Sequence, residues 1–178
     1  MADEKKEPWL NYLALTTVIL AVCATLATFK GGGFSTRSVL NQSLASDQWN
    51  YYQAKSIKGY INEMQKDKLV LDLMALGSKP TQAVRDAYGK KIDGYAGKVA
   101  KYEDEKAQIQ KEAKKLESIR DDAQKHSQAF GIAVIFLQIA ILLSSIAALV
   151  KKKLVWLLGC AVGIAGIVYF VNGFLLFL

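Results

Sequence analysis

Apolar and polar positions along this chain are sorted into long blocks. Three windows, Trp9 to Phe29, Phe130 to Val150 and Leu154 to Leu178, contain no charged side chain. Each holds at least the ~20 residues that a helix needs to cross a bilayer. Lipid offers the backbone no hydrogen-bonding partner, so a segment crossing it must satisfy its own amides, as a helix does. The pattern predicts transmembrane helices at 9–29, 130–150 and 154–178, a basic loop at 151–153 and a short polar N-terminus at 1–8. The first window outruns the apolar core of a secretory signal, and no small-x-small cleavage site stands before a convincing mature segment. It therefore reads as an uncleaved anchor.

Residues 30–129 form a polar block with one proline, Pro80. In its second half, Tyr88, Ile92, Tyr95, Val99, Tyr102, Ile109, Ala113, Leu116 and Ala123 advance by alternating three- and four-residue steps, with Lys106 and Arg120 at two seam positions. That is the apolar seam of a coiled coil. Acids and lysines alternate around it, as on a solvated flank. In the first half, Ile57, Ile61, Met64, Leu71 and Ala75 keep the same rhythm with Lys68 among them, and Leu40 and Leu44 begin a similar stripe. The breaker Gly77-Ser78-Lys79-Pro80 lies midway. Gly31-Gly32-Gly33 reads as a flexible exit from the first span. The predicted fold is an all-α membrane protein: three transmembrane helices, with a long antiparallel coiled-coil hairpin (30–129, turn near 77–80) inserted between the first and second. Each arm would reach roughly 60–70 Å at ~1.5 Å per residue.

The stretch "SDQWNYYQAKSIK" concentrates rings near the start of this hairpin. Trp49 is ~30 Å along a continuous helix from Phe29, too far for a headgroup-level aromatic belt. At 100° per residue, Trp49, Tyr52 and Tyr60 share one side, about a quarter-turn from the Ile57–Leu71 stripe, while Tyr51 lies on the far side. If the aliphatic stripe packs in the hairpin, these rings face another neighbour. Trp49, Tyr51, Tyr52 and Tyr60 are thus the candidate interaction face, since tyrosine and tryptophan dominate interface hot spots. A second reading wraps the rings around the edges of the same seam. A ligand platform has no pocket-forming fold to accompany it.

Composition narrows the chemistry. The net charge of +7 comes from lysines interleaved with acids, which is not a nucleic-acid footprint. The two cysteines, Cys23 and Cys160, lie in spans and read as packing residues. With one histidine, His126, read as a helix-end residue near the headgroups, no nucleophilic triad or zinc site can be assembled. The expectation is no enzyme, no metal and no cofactor. The spans carry no ionisable relay. Gly159, Gly163 and Gly166 have the spacing that lets membrane helices approach closely, within the three-helix unit or between copies. Lys151-Lys152-Lys153 in the short loop argues that its side is cytoplasmic and the hairpin extracytoplasmic.

Three stretches, "LALTTVILAVCATL", "SDQWNYYQAKSIK" and "FLQIAILLSSIAAL", together resemble a bacterial membrane-protein family known as domain of unknown function 4337. The resemblance implies a multi-pass protein of the bacterial inner membrane with a coiled-coil insertion, and it implies no activity. The expected function is a non-enzymatic scaffold in the lipid bilayer that forms a homo-oligomer or binds a membrane-protein partner through the hairpin. The alternative is an oligomeric channel or transport accessory subunit packed through its third span.

Overall fold

The computed structural model describes residues 8–77 and 80–177. It is all-helical: α1 runs Pro8–Ala75, α2 Gln82–Val150 and α3 Lys153–Leu175, with no strand among the described residues. All three helices are long and apolar enough to cross a membrane by length and composition. The helical boundaries follow the local chemistry. Gly77, at φ +61°, takes the left-handed turn that closes α1, and its amide bonds to the Met74 carbonyl. Ser78 and Lys79 of the predicted turn lie outside the described residues. The predicted 151–153 loop falls where α2 gives way to α3, with Lys151 at φ +50°.

The chain divides into two compact units. One holds the described residues up to Leu40 and from Ile119 onward; the other is Asn41–Ser118.

In the first unit the core is built from small residues facing large ones. Leu20, Ala24, Leu137 and Ala140 form one buried cluster, and Ala27, Phe130 and Ala133 form a second. The triple glycine is a correction. α1 continues through Gly31–Gly33 without a break, so these residues are not a flexible exit. Gly31 is buried instead, and a Cβ there would lie 3.0 Å from that of Phe130. The missing side chain lets α1 and α2 meet, and Ser127 Oγ donates to the Gly31 carbonyl across that contact at 3.1 Å.

His126 is a second correction, because it lies inside α2 and not at a helix end. Its ring stacks on Phe34 at 4.5 Å, and its Nδ1 is 2.8 Å from the Gly173 carbonyl. Nδ1 must carry the proton, since the oxygen can only accept. The carbonyl is one of the last four of α3, which lack an intrahelical partner, so His126 acts as a cap supplied by another helix.

In the second unit the two helical segments run antiparallel. Trp49 reaches Glu117, Lys55 reaches Glu105, and Gly59 lies against Tyr102. The α2 seam is as expected: Tyr88, Ile92, Tyr95, Val99, Tyr102, Lys106, Ile109, Ala113 and Leu116 are all buried or half-buried. The α1 stripe is the third correction. Ile57, Ile61, Met64, Lys68, Leu71 and Ala75 are all exposed, as is Leu44 in this unit. The side of α1 turned to α2 is instead Asn41, Ala45, Trp49, Tyr52, Lys55 and Gly59, continued by the half-buried Asn62, Lys66, Leu69, Val70 and Leu73.

The α2 seam explains this choice. It carries Lys106, only 9% exposed. Against aliphatic side chains this ammonium would keep only its Glu103 partner on α2, and the rest of the charge would be buried against apolar groups at a cost. Against tyrosine rings it finds π faces, and small residues such as Ala45 and Gly59 admit the backbone closely.

Candidate interaction surface

Two rings of "SDQWNYYQAKSIK", Trp49 and Tyr52, take hold of α2, while Tyr51 meets Lys55 of its own helix. Trp49 Nε1 donates to Glu117 Oε1 at 2.8 Å, and the indole meets the Tyr52 ring edge-on at 5.6 Å. Lys106 Nζ lies 5.5 Å from the centre of the Tyr52 ring and 5.9 Å from that of Tyr60, while bonding Glu103 Oε1 at 2.8 Å. Lys55 Nζ lies 2.6 Å from Glu105 Oε2, and within 5.1 Å and 5.5 Å of the Tyr51 and Tyr102 ring centres. A cation over a ring face is held by the ring quadrupole. The carboxylates add the stronger, charge-assisted contacts.

These contacts shift the charged groups in the direction that favours ionisation. The Lys55 hydrogen bond holds the Glu105 carboxyl below its ordinary value, and the same bond raises the Lys55 ammonium. Glu103 raises Lys106 in the same way, against the penalty of its burial. The cluster is a fastening of ion pairs and rings. No group of three His, Cys, Asp or Glu side chains that could hold a metal occurs among the described residues.

Of the four candidate face residues, Trp49 and Tyr52 are half-buried against α2, and Tyr51 and Tyr60 are exposed. The structure thus divides the set that the sequence grouped together. What it leaves uncovered is the aliphatic stripe: Ile57, Ile61, Met64 and Leu71 are 51%, 53%, 71% and 65% exposed. Tyr60 sits ~40° around the helix from Met64 and continues that surface. The signal was present in the sequence as two competing faces on one helix. The ammonium at Lys106, on the partner helix, favours the ring-bearing side where it meets Tyr52 and Tyr60.

Gly159, Gly163 and Gly166 are buried on α3. A Cβ at Gly159 would meet Leu143 and Ser144, one at Gly163 would meet Leu20 and Ala140, and one at Gly166 would come within 2.8 Å of Leu137 Cγ. All three therefore serve contacts of α3 with α1 and α2 of the same chain. Gly173, which the motif did not include, is the tightest of the series, 2.7 Å from the Phe130 ring.

A family model described as Domain of unknown function (DUF4337) matches residues 9–176. The chain belongs to this family. The match takes in the first two apolar windows, the third up to residue 176, and the antiparallel pair of the DUF4337 chain between them. Neither a curated protein nor a solved structure matches it.

Proposed function

We propose that this DUF4337 chain is a non-enzymatic integral membrane scaffold. Its three spans hold it in the bilayer of a bacterial inner membrane, and its coiled-coil hairpin binds protein, either further copies or a membrane-protein partner. The observation that carries this reading is the exposed aliphatic stripe on α1 of the second unit, which lies outside the three charge-free windows. Lipid tails cover exposed leucine and isoleucine in a span, but a stripe beyond the spans faces water unless protein covers it. The cations and rings around it are engaged in fastening α1 to α2, so they add support to the scaffold and no visible chemistry. The alternative channel or transport accessory drew on third-span glycines free to meet other copies. Those glycines face α1 and α2, and no other observation favours that reading.

The orientation proposed is an extracytoplasmic hairpin, because the Lys151–Lys153 loop is short, basic and without acids. An Asp86→Cys variant labelled by a membrane-impermeant thiol reagent in intact cells supports that side; labelling only after lysis reverses it. The test of the scaffold itself is particle mass in lipid nanodiscs. A mass above one chain, from further copies or a co-purifying protein, supports it. A single chain with nothing attached, in every lipid composition tried, overturns it.

A further inference from the structure

The uncovered stripe has a more specific pattern than mere apolarity. Ile57, Ile61, Met64, Lys68, Leu71 and Ala75 follow one another by alternating steps of four and three residues, and all are exposed. This is the a/d seam of a coiled coil, with Ile57, Met64 and Leu71 at d and Ile61, Lys68 and Ala75 at a. Such a seam stays in line only against a second helix wound at 3.5 residues per turn. The chain's own α2 does not supply that helix, because it occupies the opposite side of α1. Nor does the outer side of α2 offer a counterpart to α1 of a neighbouring copy. Its outward residues, among them Asp86, Lys90, Asp93, Gly97, Asp104 and Lys111, are charged or small.

We propose that the stripe is a contact between two copies of this chain, α1 against α1, parallel and in register. The inference rests on the membrane reading above. Two copies inserted with one topology are related by rotation about the membrane normal, so each α1 leaves the bilayer on the same side and with the same sense. In that register Ile57, Ile61, Met64 and Leu71 each meet their counterparts, and Ala75 closes the seam. Lys68 is the one cation in it. Asp67 and Asp72 stand at the flanking g and e positions, both exposed. Pairing sets the lysine of each copy beside the Asp67 carboxylate of the other, which also pairs with Lys66 of its own chain at 3.5 Å. This attraction offsets the like-charge g–e′ approach of Asp67 to the other copy's Asp72. A lysine at one a position lowers the stability of the pair and fixes its register.

The test uses the full chain in lipid nanodiscs, carrying Cys23→Ala and Cys160→Ala, with single Met64→Cys, Leu71→Cys or Ala100→Cys. Ala100 is exposed on α2, away from the stripe. A parallel in-register pair brings each d position against itself at disulfide distance. Mild oxidation should therefore give a two-chain product with Met64→Cys and Leu71→Cys and almost none with Ala100→Cys. In the cysteine-free chain, Ile61→Asp with Met64→Asp should lower the two-copy mass fraction at least about tenfold. Helix content should hold, because these side chains are exposed within the chain. Lys68→Leu should raise the two-copy fraction. Stripe cysteines that cross-link no better than Ala100→Cys, in particles still containing several copies, overturn this contact and leave the scaffold standing. Cross-linking of the stripe to a different protein does the same. A bare single chain overturns both.

Discussion

A methyl group placed on Gly173 would lie 2.7 Å from Cδ1 of the Phe130 ring, closer than real side-chain carbons come. Phe130 is fully buried, with Phe170 and Phe174 meeting it edge-on at 6.1 Å and 4.9 Å. The phenyl ring of α2 is therefore seated on the backbone of α3, and the missing side chain is what admits it. Next to this contact, His126 bonds the Gly173 carbonyl, so one residue serves two links to α2.

Gly173→Ala should destabilise the first unit by about 1–3 kcal/mol, the usual cost of overpacking a filled site. Gly94→Ala, where a Cβ meets nothing within 4 Å, should do the opposite. It removes a glycine from a helix interior and should stabilise by about 0.5–1 kcal/mol. Thermal unfolding of both variants in one detergent, followed by circular dichroism, gives the comparison. Equal shifts of the same sign would remove the packing argument.

Trp49→Phe keeps a ring and deletes the N–H that Glu117 accepts. A loss of about 1 kcal/mol is expected, small for a charged acceptor because the pair is only part-buried. Glu117→Gln preserves an acceptor and should cost less. Trp49→Ala with Tyr52→Ala removes both rings from the α1–α2 contact and should lower the stability of the second unit by about 2 kcal/mol or more. Unfolding monitored by hydrogen exchange within Asn41–Ser118 reads this directly. If assembly size falls while exchange in that segment is unchanged, the rings face outward and their placement here is wrong.

The Lys55–Glu105 pair predicts a pH profile. The carboxyl is lowered by the Lys55 hydrogen bond and the ammonium is raised by the same bond. For the acid, the stabilisation is full above the unfolded value and is lost as pH falls through the lower folded value. For the lysine, it is full below the unfolded value and is lost as pH rises through the higher folded value. Wild-type minus Glu105→Gln stability should therefore be flat across neutral pH and shrink in acid and in strong alkali. A difference that instead grows on acidification would mean that the carboxylate is a burden to the fold.

Lys106→Leu replaces a buried ammonium with an apolar side chain of similar reach. Its Glu103 partner is 59% exposed and can return to water. The second unit should hold its stability or gain about 1 kcal/mol. The same change should loosen Tyr60, whose ring would lose its cation. Tyrosine quenching by acrylamide would show that as increased access. A large destabilisation would show that the two ring contacts outweigh the desolvation of the lysine.

The sequence alone was enough for the three long apolar helices, their ends near Val150 and Lys153, and the α2 seam from Tyr88 to Leu116. Each depends on spacing along one helix, and backbone periodicity is a local property. It also indicated close packing at Gly159, Gly163 and Gly166, because a glycine face is recognisable wherever its partner lies. The inward face of α1 was different. That helix carries both a continuous aliphatic stripe and an opposite side of rings and small residues that gives way to Leu69, Val70 and Leu73 further along, and periodicity ranks the continuous stripe first. Only the tertiary structure decided, because the answer depends on what α2 presents: an ammonium at Lys106 and carboxylates at Glu105 and Glu117. The same holds for Gly31 and Gly173. A glycine is a hinge or a seat according to whether another helix fills the space its missing side chain leaves, and here Phe130 fills both.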